Sequence, residues 1–160
     1  MADINALTDV RTRWQAWLLQ GDWLFAAPDL VSGRDLETAA VISLFTDRLA
    51  EPGDRLPDAS DSDRRGWWAD WDHEGGPIGS RLWLIGREKQ TEDVRLRAED
   101  YCREALAWMI EDDVADAIDI AASWSTAPGR LDVDVAISRQ RALLLHRSFS
   151  WAWEQIEYAI

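Results

Sequence analysis

The chain has 160 residues, 47% of them hydrophobic and 29% charged, with a formal net charge of −13 at pH 7. That length suits a single domain over residues 1–160, able to bury roughly 70% of its unfolded surface, and the composition is that of a globular rather than a disordered chain. The acidic excess excludes nucleic acid, whose phosphates require a basic face, and an anionic membrane surface as partners.

The N-terminal stretch MADINALTDVRTR has no apolar core, so no secretory signal is expected. Nor does any apolar run approach the roughly 20 residues needed to span a bilayer. Residues 1–34 are expected to supply N-terminal strands. In VRTRWQAWLL, residues 10–19, Val10, Thr12, Trp14, Ala16 and Leu18 share one side by period-2 alternation. Gln20-Gly21-Asp22 has turn chemistry, and Trp23-Leu24-Phe25 continues as a short paired strand, giving a hairpin.

Residues 35–50, DLETAAVISLFTDRLA, predict a helix with Asp35 at the N-cap and Glu37 favouring the positive end of the dipole. Val41, Leu44, Phe45 and Leu49 form its expected inward stripe, and Pro52-Gly53 stops it. Residues 51–90 form a Trp-rich loop. A second helix is predicted within 91–113, with Thr91 as N-cap and Glu92 and Asp93 in the first turn. Val94, Ala98, Tyr101, Cys102, Ala105, Trp108 and Met109 make its stripe, which Leu106 and Ile110 widen.

Residues 116–154 read as an antiparallel sheet. Ile118, Ile120, Ala122 and Trp124 alternate on one strand; Leu131, Val133, Val135 and Ile137 alternate on the next, beyond a turn at Ala127-Pro128-Gly129. The last strand carries Leu143, Leu145, Phe149, Trp151 and Trp153 on one side, interrupted by Arg147. A meander with one face on a core and one in water follows, and the two helices are the obvious cover. The fold class is α+β: two main helices on a small C-terminal antiparallel meander, with an N-terminal β-hairpin and a long Trp-rich loop.

Catalytic chemistry finds little support. There is no G-x-S-x-G elbow, and the two histidines are His73 in the loop and His146 on the more polar face of the last strand. Cys102, the single cysteine, cannot form an internal disulfide, and its place in a helix stripe suits an inert core thiol. His73 and Glu74 with Asp70 and Asp72, or Asp54, Asp58, Asp61 and Asp63, lack the ordered spacing of a metal site, so no metal is expected. Gly75-Gly76-Pro77-Ile78-Gly79 is not followed by Lys-Ser/Thr, so no phosphate-cradling motif and no cofactor is expected. Glu104 and Glu111 stand a helical heptad apart, but with thirty acidic residues in the chain such pairs carry no signal for glycoside hydrolysis.

The loop carries the strongest signal. Residues 51–80 have no helix or strand periodicity, and so long a connection is unusual unless it is functional. In DRRGWWADWDHEGGPIGSRLW the residues Trp67, Trp68, Trp71 and Trp83 accompany Arg64, Arg65 and Arg81. Tryptophan and arginine are the side chains that dominate protein interfaces. Two readings stay open: an Ω-like loop pinning its tryptophans on its own core, and an aromatic anchor for a protein partner. The sheet adds a second surface, since a three-stranded meander has an open edge able to accept a further strand.

The run GDWLF, DLETAAVISLFTDRLA, RRGWWADW, GSRLWLIGREK and RAEDYCREALAWMIED closely resembles the Mu-like contractile-tail phage baseplate protein family, from about residue 21 onward. More distantly the layout is similar to the lysozyme-like baseplate wedge family: Thr46-Asp47-Arg48 and Gly79-Ser80-Arg81-Leu82 stand at corresponding places. That family's Glu-Pro-Arg motif is absent; this chain has Glu111-Asp112-Asp113-Val114-Ala115-Asp116 after the long helix.

The resemblance implies a non-enzymatic sheath initiator, a virion structural protein of the tail baseplate, assembled in the host cytoplasm of a phage, a prophage or a tailocin. Its implied partners are the tail sheath protein, baseplate wedge proteins and tail tube or hub proteins, with copies arranged in a baseplate ring. Arg64, Arg65, Trp67, Trp68, Trp71, Arg81 and Trp83 in the loop, and Phe149, Trp151 and Trp153 in the last strand, are the candidate partner-binding residues. The alternative implied by the distant family's name is a peptidoglycan-cleaving lysozyme-like enzyme.

Overall fold

A computed structural model describes residues 12–15, 20–23, 25–26, 29–30, 35–58, 60, 62–68, 70, 76–126 and 129–152. The chain forms two compact units, Met1–Val41 and Ile42–Ile160. In the first, β1 (Thr12–Gln15) pairs antiparallel with β2 (Gln20–Trp23), and β3 (Phe25–Ala26) with β4 (Asp29–Leu30). The hairpin expected near the N-terminus is present, but its reversal is displaced. Gln20, Gly21 and Asp22 lie within β2, opposite Gln15, Trp14 and Arg13, rather than in a turn. Ladder hydrogen bonds outweigh turn propensity here, and a glycine in a strand costs only about 0.5–1 kcal/mol in backbone entropy relative to alanine. Residues 10, 11, 16–19 and 24 lie outside the described residues.

Helix α1 (Asp35–Phe45) contains the boundary between the units. It ends well before the expected Ala50. The Thr46 N–H still reaches the Ile42 carbonyl at 3.1 Å, but the next backbone groups are diverted: Ser80 N–H donates to Thr46 O at 2.9 Å, and Arg48 N–H to Ser80 O at 3.0 Å. Asp47 and Ser80 thus form an isolated parallel bridge. The expected stripe is also corrected. Leu44 is buried, but Val41, Phe45 and Leu49 are exposed, and the buried companions of Leu44 are the small Ala40 and Ser43. The Ser43 hydroxyl accepts the Trp108 Nε1–H at 3.0 Å, which turns this side of the helix inward.

Helix α2 (Glu92–Leu106) starts as predicted, with the Thr91 Oγ1 accepting from the Val94 N–H. It does not run unbroken to 113. The Ala107 N–H bonds to Glu104 O, three residues back, and α3 (Trp108–Glu111) follows as a separate turn. That break carries Ile110 to the exterior, whereas Val94, Ala98, Cys102, Ala105, Leu106 and Met109 are buried as expected.

The sheet has the order β5 (Ala117–Trp124), β6 (Arg130–Arg139), β7 (Ala142–Ala152), all antiparallel. α2 packs against β5. On central β6, Leu131, Val133, Val135 and Ile137 are all buried, each contributing about 1.5–3 kcal/mol by leaving water. Gln140 and Arg141, both at positive φ (50° and 64°), form the two-residue turn into β7. Leu143 departs from the predicted face. The register passes from Ile137↔Leu145 to Ser138↔Leu143, so Leu144 is an extra residue, and the bulge shifts Leu143 to the exposed side. The fold is α+β. Among the described residues, no helix is long and apolar enough to cross a membrane.

Candidate partner-binding surfaces

The Trp-rich loop is built around Gly79 and Ser80. Gly79 has φ +102°, and a Cβ placed there would lie 2.3 Å from the Thr46 carbonyl oxygen, so only glycine lets the two segments meet. Ser80, itself buried, donates its hydroxyl to the Leu44 carbonyl at 2.6 Å, satisfying an acceptor in the last turn of α1. The 3-10 helix Leu82–Leu84 follows directly and buries all three of its residues. Trp83 packs with Ala50, Leu84, Leu56 and Tyr101, and its Nε1–H donates to Arg48 O at 2.8 Å.

The three candidate partner-binding arginines all have intramolecular engagements. Arg81, half-buried, donates Nε–H to Glu104 Oε2 at 2.9 Å and Nη1–H to Asp54 at 3.1–3.2 Å, and its guanidinium lies 4.9 Å from the centre of the Tyr101 ring. Burial opposes its charge, but these partners outweigh it and raise its pKa further. Arg65 donates to Asp47 Oδ2 at 2.6 Å and lies 4.4 Å from the centre of the Trp83 ring. Arg64 donates to the Glu51 carbonyl and accepts from Ala50 N–H at 3.0 Å.

The tryptophans divide. Trp83 is buried and Trp67 half-buried, while Trp68 exposes 80% of its surface. The rings of Trp67 and Trp68 lie 5.6 Å apart at a tilt of 54°. Asp70 ties this corner of the loop, its carboxylate accepting from the Trp67 N–H at 3.0 Å and the Ile78 N–H at 3.1 Å. Trp71 and His73 lie outside the described residues, as does Trp153.

At the far end of the sheet, Phe149 and Trp151 are half-buried beside exposed Phe45. Phe45 stacks on Trp151 at 5.3 Å and 11°, and meets Phe149 edge-on at 5.7 Å. This aromatic shelf joins the end of α1 to β7. Helical periodicity alone assigns Phe45 to the core. Its role on the shelf depends on which strand lies beneath it, which the pattern along one helix does not encode.

Two further residues of consequence, Arg95 and Glu99, are legible in sequence only as an i,i+4 helix pair. In the structure both reach the backbone of Ala122 in β5. Glu99 Oε1 accepts the Ala122 N–H at 2.9 Å, and Arg95 Nη1–H donates to Ala122 O at 2.9 Å. Arg95 also pairs with Glu99 itself and with Glu92 at 2.6 Å. Burial raises the Glu99 pKa, but the Ala122 amide, Arg103 and Arg95 outweigh it and hold the carboxyl below its ordinary value.

The catalytic candidates take structural places. Burial pushes the Cys102 thiol up to about 12. Glu104 is held by Arg81 and Arg48, and the break at Ala107 puts Glu111 on a different helix from it. Asp58 accepts from Ser60, and Asp63 from the Arg65 N–H. Among the described residues, no group of three or more His, Cys, Asp or Glu side chains could hold a metal ion.

Comparison with known proteins adds a family. The profile described as "Phage protein GP46" matches residues 36–143, from α1 into the start of β7. The chain is 45% identical over 116 residues to the baseplate protein gp46 of Escherichia phage Mu, covering 72% of this chain and 77% of that one. It is 32% identical over 117 residues to the Mu-like prophage FluMu protein gp46 of Haemophilus influenzae, covering 73% of this chain and 77% of the relative.

Proposed function

The chain belongs to the phage protein GP46 family, and from that premise we propose that it is a sheath initiator in the baseplate of a contractile phage tail or related injection device. It is a structural baseplate component rather than an enzyme, in keeping with the relative from phage Mu named as a baseplate protein. The finer role is assembly: the C-terminal sheet accepts a strand from the tail sheath, and the Trp67–Trp68 corner contacts a wedge protein.

The observation that carries this reading is the form of the sheet. Among the described residues it has three strands in the order β5-β6-β7 with β7 at the end of the ladder, and an aromatic shelf adjoins it. Main-chain hydrogen bonds along a sheet edge supply affinity for an extended segment, and pockets beside alternate side chains supply specificity. The 80% exposed Trp68 is the complementary side-chain anchor.

Affinity purification of a tagged copy from host cells assembling tails, followed by mass spectrometry, tests the proposal. Sheath and wedge proteins are expected to accompany it. A folded Trp67→Ala, Trp68→Ala variant is expected to lose the wedge protein while retaining sheath. Recovery of neither partner from assembled baseplates, or clearing of cell walls by the purified chain, would overturn the assignment.

A further inference from the structure

The two end strands of the sheet differ in how their outer backbone groups are used. Beyond β5, the Ser125 N–H donates to Arg130 O at 3.0 Å. Bonded pairs alternate along an antiparallel ladder, so Ser123 and Ala121 turn their backbone groups toward β6, while Ala122 and Ile120 turn theirs outward. The outward groups of Ala122 are both taken, its N–H by Glu99 and its C=O by Arg95. Helix α2 therefore fills the middle of the β5 edge with side chains that stand in for a strand.

On the other side of β6 the alternation is complementary. Leu131 and Val133 bond toward β7, so their register partners Trp151 and Phe149 face inward along the ladder. Ser148 and Ser150 then direct their N–H and C=O groups away from the sheet. One outward group further back, the His146 carbonyl, receives the Arg147 guanidinium at 3.1 Å. The accessible part of the edge is centred on Ser148 and Ser150.

We infer that strand addition occurs at β7 and not at β5, and that the guest is an extended segment of another protein with apolar residues on one face and lysine or arginine on the other. This deepens the strand-accepting role proposed above and rests on it. Side chains of a strand alternate in step with their neighbours, so one face of the guest lies beside Phe149 and Trp151, extending the shelf formed with Phe45. Its other face lies beside Ser148 and Ser150, whose register partners on β6 are Asp134 and Asp132. The Ser150 hydroxyl donates to Asp132 Oδ1 at 2.6 Å. Serines are short, so a long cationic side chain on the guest can cross β7 and approach those aspartates, which lie about 10 Å away, two strand spacings. A second copy of this chain is a poorer guest, because each copy carries a net charge of −13.

Two synthetic strands of about six residues test this, each with valine at alternate positions and either lysine or glutamate between. Amide hydrogen exchange read by NMR on the full chain is expected to show the lysine peptide protecting Ser148 and Ser150 at least tenfold, with no change at Ile120 and Ala122. The glutamate peptide is expected to bind at least tenfold more weakly. Ser148→Pro removes an outward N–H that an edge strand does not use internally, and is expected to abolish binding of the peptide and co-purification of sheath. Protection at Ile120 instead, equal binding of the two peptides, or dimerisation through β7 would overturn the inference while leaving strand acceptance in place. Protection at neither edge, together with sheath still retained by Ser148→Pro, would overturn strand acceptance as well.

Discussion

Gly79 and the Thr46 carbonyl are in direct apposition: a Cβ on Gly79 would fall 2.3 Å from that oxygen, at a φ of +102°. The contact lets Ser80 pair with both sides of Asp47 and bond the end of α1, so a single residue without a side chain joins the loop to the helix. Gly79→Ala is expected to lower stability by about 2–4 kcal/mol, because clash with backbone adds to left-handed strain. Urea unfolding followed by tryptophan fluorescence measures it; a loss under about 0.5 kcal/mol would mean the two segments can separate without penalty.

Arg81 gathers Asp54, Glu104 and Tyr101 beneath the loop. Arg81→Ala leaves Asp54, Glu104 and the more exposed Glu51 without their shared cation and is expected to cost about 2–4 kcal/mol. Arg81→Lys keeps the charge but not the planar fork, and is expected to cost about half as much. Equal denaturation midpoints for the two variants would show that geometry contributes nothing.

Glu99 links α2 to β5 and sets a pH dependence. Its folded pKa lies below the ordinary glutamate value, so its contribution to stability is complete above that ordinary value and is lost as the pH falls through the depressed folded one. Melting profiles between neutral and acid pH are expected to decline less steeply for Glu99→Gln than for the parent. Glu99→Ala is expected to cost about 1–3 kcal/mol at neutral pH, since it leaves the Ala122 amide and Arg95 short of a partner. Parallel acid declines in parent and Glu99→Gln would remove Glu99 from this role.

Trp68 and Trp83 lie fifteen residues apart in sequence but differ in burial, 80% exposed against 6%. Trp68→Ala is expected to change stability by no more than about 0.5 kcal/mol while weakening retention of a wedge protein by at least tenfold. Trp83→Phe, which removes the Nε1–H donated to Arg48, is expected to cost about 1–2 kcal/mol with the aromatic packing largely kept. Thermal melts alongside partner pull-down separate the two; loss of the fold in Trp68→Ala would make it a structural residue.

Local pattern was enough for much of this protein. Alternation in 116–124 and 131–138 placed two strands and their buried faces, because a pleated strand repeats every two residues whatever surrounds it. Thr91 marked the start of α2, because a cap needs only its own hydroxyl and an amide three residues on. What crosses between segments was decided by the tertiary structure. α1 ended at Phe45 because Ser80, far along the chain, took up the backbone of Thr46 and Arg48. Leu143 left its face because of a bulge against β6, and Arg95 and Glu99 closed a strand edge that no helical period could reveal. Periodicity reports which side of an element is apolar; only packing decides what that side, and each unpaired backbone group, will meet.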